Sequence, residues 1–447
     1  MSNHLELKKG LDIPISGAPA QVVTKAVKSG TVALKPTDFK GLTPRLLVKE
    51  GDSVLAGSPV YCDKQRPEVL FTSPVSGTVE RIVRGEKRKL LAIEVKASAT
   101  QQFVDFGTKA PASADEVREL LLNSGLWPSL VQRPYGVMAS PDIRPKAIFI
   151  SAFSTAPLAP DYKFTLGSRV DEIQLAVNAL SLLTDGGVHL SVPSEDSPFA
   201  KLENVKLHVV CGKHPAGNVG VQISHISPIL KGETVWTVSL TLAATIGRLL
   251  KTGKVDMSRK VAVTGPMAPT PAYLDTLPGV PAKELAAIAT GVRVVSGDVL
   301  SGEIIGKDGY LGFFNDQLTL LNEGTDREIL GWAKPFRFNV HSSSWCYFAW
   351  MVNMFLPPKK YDMDTNLHGG PRAFVETKCF EDVTPMDIFP IYLIKACLAG
   401  DIDRMEKFGI YEVLPEDLAL CDYVDPSKND VQAIIRSGID LMIKEMA

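Results

Sequence analysis

The apolar pattern of this chain changes period near residue 115, and that change constrains the fold more than any other feature. Before it, short alternating runs such as Leu91-Ala92-Ile93-Glu94-Val95 sit between turn residues at hairpin spacing. After it, apolar residues recur at helical spacing, as in Val117, Leu120 and Leu121. A period of two divides side chains between the faces of a strand, whereas a period of 3.6 lines one helix face. The chain must therefore hold a β unit followed by helix-containing units. Its 447 residues leave room for about three domains.

In the β region, Lys49-Glu50-Gly51-Asp52-Ser53-Val54 reads as a turn entering a strand, and Ser73-Pro74-Val75-Ser76-Gly77-Thr78-Val79 as a second. A small sandwich or flattened barrel follows. Beyond it, Asp115-Glu116-Val117 opens a helix that Gly125 closes, since glycine tolerates the left-handed conformation of a helix end. Lys146 to Ile150 reads as a strand. A helix capped near Ser168 follows, with Val170, Ile173, Val177 and Leu180 on one face; it stops at Gly186-Gly187 before a strand from Val188 to Val192. Strand–helix–strand order implies a parallel crossover. Leu207 to Val210 is a further short strand, and Val238, Leu242, Ile246 and Leu249 stripe another helix.

Residues 258 to about 330 return to strands at Lys260–Gly265 and Gly291–Gly297, with a helix-compatible stretch at Lys283–Ala289 between them, the size of a β-grasp module. From about 385 the pattern is helical, with Asp401 and Asp430 placed as N-caps and Ile434, Ile435, Ile439 and Met442 on the last apolar stripe.

Composition narrows the function classes. With 45% hydrophobic residues, 22% charged and a net charge of −2, the chain has ample core and no electrostatic footprint for nucleic acid. The six cysteines are scattered with no CxxC pair, which argues against a disulfide framework or thiolate metal site and suits a reducing cytosol. Met1 to Gly10 has no apolar run of a signal peptide. The strongest apolar run, Trp345 to Leu356, is twelve residues where a spanning helix needs about 20. It reads as a buried strand or core helix, with a partner-facing surface as the alternative, and Pro357-Pro358 ends it.

Chemistry-bearing motifs are few. There is no GxSxG, Walker loop or GxGxxG following a strand. His189, His208, His214 and His225 are spaced 19, 6 and 11 apart, which matches no metal-ligand pattern and reads as ordinary strand and loop histidines. The turn Lys213-His214-Pro215-Ala216-Gly217 is a weak ligand-contact candidate, and Asp401 with Asp403 reads as a cap and its first turn. Val48 to Gly57 followed by Ser73 to Val79 resembles the biotinyl/lipoyl barrel-sandwich family. Asp63-Lys64 falls where a lipoyl domain presents its modified lysine, but Gln65-Arg66-Pro67 fits such a tip poorly, so a structural barrel-sandwich is the better reading.

The order of modules, with Leu7 to Ile15, Ser124-Gly125-Leu126-Trp127, His214-Pro215-Ala216-Gly217, Gly331-Trp332-Ala333 and Asp417 to Cys421, resembles the A subunits of Na+-translocating NADH:quinone reductases. More distant likenesses are the Rnf complex C subunit and the flavin-binding subunit of complex I. The resemblance implies a multidomain α+β protein: an N-terminal segment and barrel-sandwich hybrid (1–110), a Rossmann-like α/β domain with a degenerate flavin site (111–257), a β-grasp module of SLBB type (258–330), and a linker with a helical domain (331–447). It also implies a complex that oxidises NADH, reduces a quinone and exports Na+, with this chain peripheral on the cytoplasmic face of the bacterial inner membrane beside membrane and peripheral partner subunits.

Departures from the cofactor-bearing relatives carry the rest. Where they have a glycine-rich loop that approaches the flavin phosphate, this chain has Gly125-Leu126-Trp127-Pro128-Ser129-Leu130, with side chains in the space and one N–H removed at Pro128. The acidic segment after the next strand is Ser151 to Pro157, without carboxylates. Aligning a ferredoxin run CxxCxxCxxxCP to Pro385 puts Phe374, Thr377, Phe380 and Thr384 at the ligand positions; a second, aligned to Pro426, gives Pro415, Leu418, Cys421 and Asp425. One cysteine of eight survives. The expectation is a chain that binds no flavin, NADH, metal or iron–sulfur cluster, those cofactors residing in partner subunits. It would shape or support the quinone-reduction site, with Phe39, Leu42, Trp127, Arg133 and Tyr135 as candidates for quinone or partner contact and no catalytic residue. The alternatives are a lipoyl- or biotin-type carrier fused to an α/β enzyme, which an acylated Lys64 would mark, and a soluble flavoprotein.

Overall fold

The computed structural model describes residues 3–325, 340, 341, 359–374 and 378–446. The run Trp345–Leu356, the Gly331-Trp332-Ala333 motif and Thr377 lie outside the described residues.

The barrel-sandwich folds from two small antiparallel sheets. One holds Thr31–Leu34, Leu90–Ala97, Gly77–Arg84 and Ser53–Val54, and the other Pro44–Leu46, Pro59–Asp63 and Leu70–Thr72. Alternation along these strands sends Val32, Val60, Val79, Ile93 and Val95 into the core, each fully buried or nearly so.

The α/β unit is a seven-stranded sheet. Its order is Asn3–Leu7, Val205–Gly212, Val188–Val192, Ile148–Ser151, Val235–Thr237, Val131–Arg133 and Val137–Met138. The first five run parallel; Val131–Arg133 pairs antiparallel to the fifth and Val137–Met138 antiparallel to it in turn. Parallel strands need crossovers, and the helices Val170–Ser181 and Val219–Ile226 supply two of them; Leu240–Thr252 leads on to the next sheet, and its Leu242 and Ile246 share the core with Ile173 and Val177 of Val170–Ser181. The helix Ala114–Ser124 ends at left-handed Gly125 as its sequence predicts; its N-cap is Ser113, whose hydroxyl accepts from the Glu116 N–H. Ser168 does not cap the next helix. It sits in a 3-10 turn, Gly167–Arg169, and Arg169 is held instead by Glu172 at 2.6 Å.

The β-grasp module is a six-stranded sheet in the order Glu303–Ile304, Val292–Ser296, Gln317–Asn322, Arg259–Thr264, Ala272–Thr276 and Ala20–Ala26. The stretch Lys283–Ala289 forms only one turn, Ala282–Leu285, before the backbone extends at Ala286. The C-terminal helices Cys379–Val383, Pro390–Ala399, Ile402–Phe408, Ala419–Val424 and Val431–Met446 enclose a second core around Phe380, Leu393, Met405, Leu418, Ile435 and Ile439. Asp401 and Asp430 do cap their helices, accepting from the N–H groups of Arg404 and Ala433.

Residues 3–26, the N-terminal segment, lie outside the barrel-sandwich sheets. Asn3–Leu7 pairs with Val205–Gly212, and Ala20–Ala26 pairs with Ala272–Thr276. Between them Gly10 N–H donates to Asp382, Leu11 N–H to His214, and Pro14 and Ser16 bond Tyr361. The segment is a strap tying the α/β, C-terminal and β-grasp units together. Such long-range parallel pairing leaves no local trace in sequence.

Candidate functional site

In an open α/β sheet, ligands bind where the strand order reverses, at the carboxyl ends of the strands. Here the reversal lies between Ile148–Ser151 and Val235–Thr237. That crevice is closed by side chains and loops. The Ser151 hydroxyl donates to the carbonyls of Phe153 and Gly217, and the Gln222 amide donates to Ser151 Oγ and the Ala216 carbonyl. Gly217 lies so close to the neighbouring loop that a Cβ would sit 2.5 Å from the Thr155 nitrogen. The His214 turn is part of this seal, its Nδ1 being 3.2 Å from Thr155 Oγ1.

The segment in place of the flavin loop is equally filled. Leu126, Trp127 and Leu130 are fully buried. Trp127 Nε1 donates to the Ala139 carbonyl at 2.9 Å, and its ring meets Trp236 edge-on at 5.4 Å. At three of the positions aligned with a ferredoxin run, Phe380, Leu418 and Cys421 are buried in the C-terminal core, and burial pushes the Cys421 thiol up to about 12. Among the described residues no group of three His, Cys, Asp or Glu is placed to hold a metal ion. His189 and His208 do meet, Nδ1 to Nε2 at 3.0 Å, because neighbouring strands bring together residues whose sequence spacing carries no signal. Burial, then His208, lowers His189 to about 4, so the pair is neutral.

Open space occurs at a different junction. A cleft of about 40 Å³, room for a few waters, lies between the barrel-sandwich, the β-grasp module and Gly125 of the α/β unit. Phe39, Phe71 and Phe313 wall it, Phe39 standing 4.7 Å from Phe71 and 5.0 Å from Phe313. Tyr61 stacks on Phe71 at 4.4 Å. Burial, then the nearby Asp38, pushes the Tyr61 hydroxyl well above its ordinary pKa and keeps it a neutral donor. At the rim, Lys35 pairs with Asp38 at 3.0 Å and with Glu303 of the β-grasp module at 2.6 Å. Burial opposes the Lys35 charge, but the two carboxylates outweigh it and hold its pKa above the usual value. The Phe313 N–H donates to Asp38, fixing the third wall.

The five sequence candidates therefore do not form one site. Phe39 lines the cleft, and Leu42, not among the residues lining it, packs half-buried on the main core. Trp127 is interior. Arg133 and Tyr135 face the C-terminal helices: Arg133 is buried and bonds Asp417 at 2.7 Å and Glu416 at 3.0 Å, while Tyr135 lies 6.4 Å from Tyr411 and its carbonyl accepts from Arg436. Sequence reasoning missed Tyr61, Lys35 and Asp38. The i,i+3 spacing of Lys35 and Asp38 was the one available hint; Tyr61 looks like any strand residue. Lys64 is exposed between the strands Pro59–Asp63 and Leu70–Thr72, its N–H donating to the Thr43 carbonyl.

Three family models match: the NqrA N-terminal barrel-sandwich hybrid domain over residues 5–98, the NqrA second alpha/beta domain over 112–255, and the NQRA C-terminal domain over 260–306. The A subunit of the Na(+)-translocating NADH-quinone reductase from Neisseria meningitidis serogroup B is 34% identical, the match covering 99% of this chain and 100% of that one. The chain belongs to the family of Na+-translocating NADH-quinone reductase A subunits. Family members from Rhodopirellula baltica and Serratia proteamaculans are each 36% identical, over 98% and 99% of this chain and 98% and 100% of theirs. The barrel-sandwich hybrid, α/β unit and SLBB-type module read from the sequence are those of this family. Among the described residues no helix is long and apolar enough to cross a membrane.

Proposed function

We propose that this chain is a peripheral, cofactor-free subunit of a Na+-pumping NADH:quinone oxidoreductase. It docks on membrane subunits at the cytoplasmic face, supports assembly and shapes the quinone-reduction site, while NADH, flavins and iron–sulfur clusters are handled by partners. One observation carries this reading: bulky side chains, Leu126, Trp127 and Leu130 in one place and Phe380 and Leu418 in another, are buried where cofactor-bearing relatives would need glycines and thiolates. They are close-packed interior residues, and an isoalloxazine or a cluster would have to displace them.

Of the five contact candidates, Phe39 is the one on an aromatic cleft suited to the flat, mostly apolar head of a quinone. Leu42 and Tyr135 are half-buried and suit partner contact. Trp127 and Arg133 are buried and act by positioning what surrounds them.

The test has two parts. The purified chain is expected at its unmodified mass, with no acyl group on Lys64 and no flavin absorption; a tightly held flavin or an iron–sulfur resonance overturns the reading. In the detergent-solubilised complex, crosslinks should join this chain to membrane subunits. There Phe39→Ala should raise the quinone KM while NADH oxidation by an artificial acceptor is unchanged. A crosslink map remote from every membrane subunit would leave a separate role.

A further inference from the structure

The hairpin joining Gly77–Arg84 to Leu90–Ala97 carries an unusual tip, Arg84-Gly85-Glu86-Lys87-Arg88-Lys89. The Lys89 N–H donates to the Glu86 carbonyl, and the central pair Lys87 and Arg88 both have left-handed backbones, φ 51° and 61°. Tight hairpins of this kind are ordinarily turned by Asn-Gly, because other side chains crowd the backbone there. Two long cations occupy the strained pair instead, and an outlier of this sort points to a use for the side chains.

The charges at the tip are not neutralised within the fold. Arg84, Lys87, Arg88 and Lys89 are exposed, and none makes an ion pair among the described residues. The Arg84 guanidinium donates to the Arg88 carbonyl, which braces the tip. Arg81, lower on the strand, is spent on Glu94 at 2.7 Å. The nearby acids are Glu86 in the tip, Glu50, which accepts from the Ile82 N–H, and Glu80. Beside the cations, Leu91 is more than a third exposed and packs over Gly85. A cationic, outward-pointing loop with an apolar residue at its base, on a chain of net charge −2, has the chemistry of a contact with an anionic lipid surface.

We propose that this hairpin tip is a lipid contact: its four cations engage anionic phospholipid headgroups and seat the barrel-sandwich against the membrane. The proposal rests on the peripheral placement given above, and it names the lipid, rather than a partner protein, as what the tip touches. Each cation near an anionic surface adds about a fivefold factor in affinity, and the attraction is screened by salt.

The full chain sedimented with phosphatidylserine-rich vesicles tests it. Binding is expected at low salt, is lost at about 1 M salt, where the Debye length is about 3 Å, and is absent with phosphatidylcholine alone. The paired change Lys87→Asn with Arg88→Gly restores the ordinary turn residues, so the variant should fold with an unchanged or higher Tm yet bind these vesicles about 30-fold more weakly. Wild-type protein that ignores phosphatidylserine, or a variant that binds as tightly as wild type, overturns the proposal. If the wild type ignores lipid and the variant assembles poorly into the complex, the tip faces an acidic protein surface and the lipid assignment falls. Crosslinks to membrane subunits can persist whatever the vesicles show, so failure here is separable from failure of the peripheral reading.

Discussion

Two domain junctions in this chain solve the same problem in opposite ways. Where the α/β unit meets the C-terminal helices, Arg133 is buried against Asp417, which is itself fully buried and also accepts the Leu414 N–H. A Cβ added at Gly220 would lie 2.1 Å from that guanidinium, so the joint has no slack. Where the barrel-sandwich meets the β-grasp module, Lys35 reaches half-exposed Glu303 across the mouth of a cleft with open space behind it. A closely packed, ion-paired joint holds domains together, even with Arg133 Nε and Asp417 Oδ1 left without partners. An aromatic joint with a partly exposed rim and a neutral hydroxyl inside leaves a cleft between the domains. Carrying charge across a junction is thus not a sign of a site; the space behind the charge is.

The largest effect should come from breaking the sealed joint. Arg133→Met strands the buried Asp417 carboxylate and is expected to cost about 3–5 kcal/mol, seen in urea unfolding and early proteolysis of the C-terminal helices. Adding Asp417→Leu should recover most of that loss; if it recovers none, the pair is more than a joint. Trp127→Ala should cost a similar amount, about 3–5 kcal/mol, through its cavity, with quinone kinetics following stability alone. The open joint should respond differently. Glu303→Gln removes a partly solvated partner and should cost under about 1 kcal/mol. Tyr61→Phe should leave Tm nearly unchanged while weakening any ring ligand that accepts from the hydroxyl, measured as quinone KM in the complex.

A pH slope beside the sealed joint offers a further test. Burial, then Asp387, pushes Glu412 up to about 7. The folded carboxyl therefore keeps its proton between about pH 4.5 and 7 where the unfolded one has lost it, so its contribution to stability falls as pH rises through that window. Glu412→Gln should flatten this slope, and an unchanged slope in denaturant midpoints at pH 5 and 8 would show that Glu412 is solvated.

Local features were readable. Gly125 ends its helix in the left-handed conformation, and Asp401 and Asp430 cap theirs, because each depends on residues within a turn. Ser168 misled for the same reason: several polar residues offer a cap locally, and the Arg169–Glu172 pair, set by packing, decides where the helix begins. The candidate site was legible only at Phe39. Tyr61 and Glu303 join it across 22 and 264 residues of intervening sequence numbering, which no periodicity encodes.

Residue order alone was enough to specify the succession of units, since periodicity and spacing along the chain suffice for it; only the resemblance to cofactor-bearing relatives showed which bulky residues stand at their glycine and thiolate positions. Three features emerged only on folding: residues 3–26 strap three units together, Arg133 is a joint, and the open space lies beside Tyr61. Each of these depends on contacts between distant segments, whose closure is governed by packing and burial of the whole molecule rather than by any local run of residues.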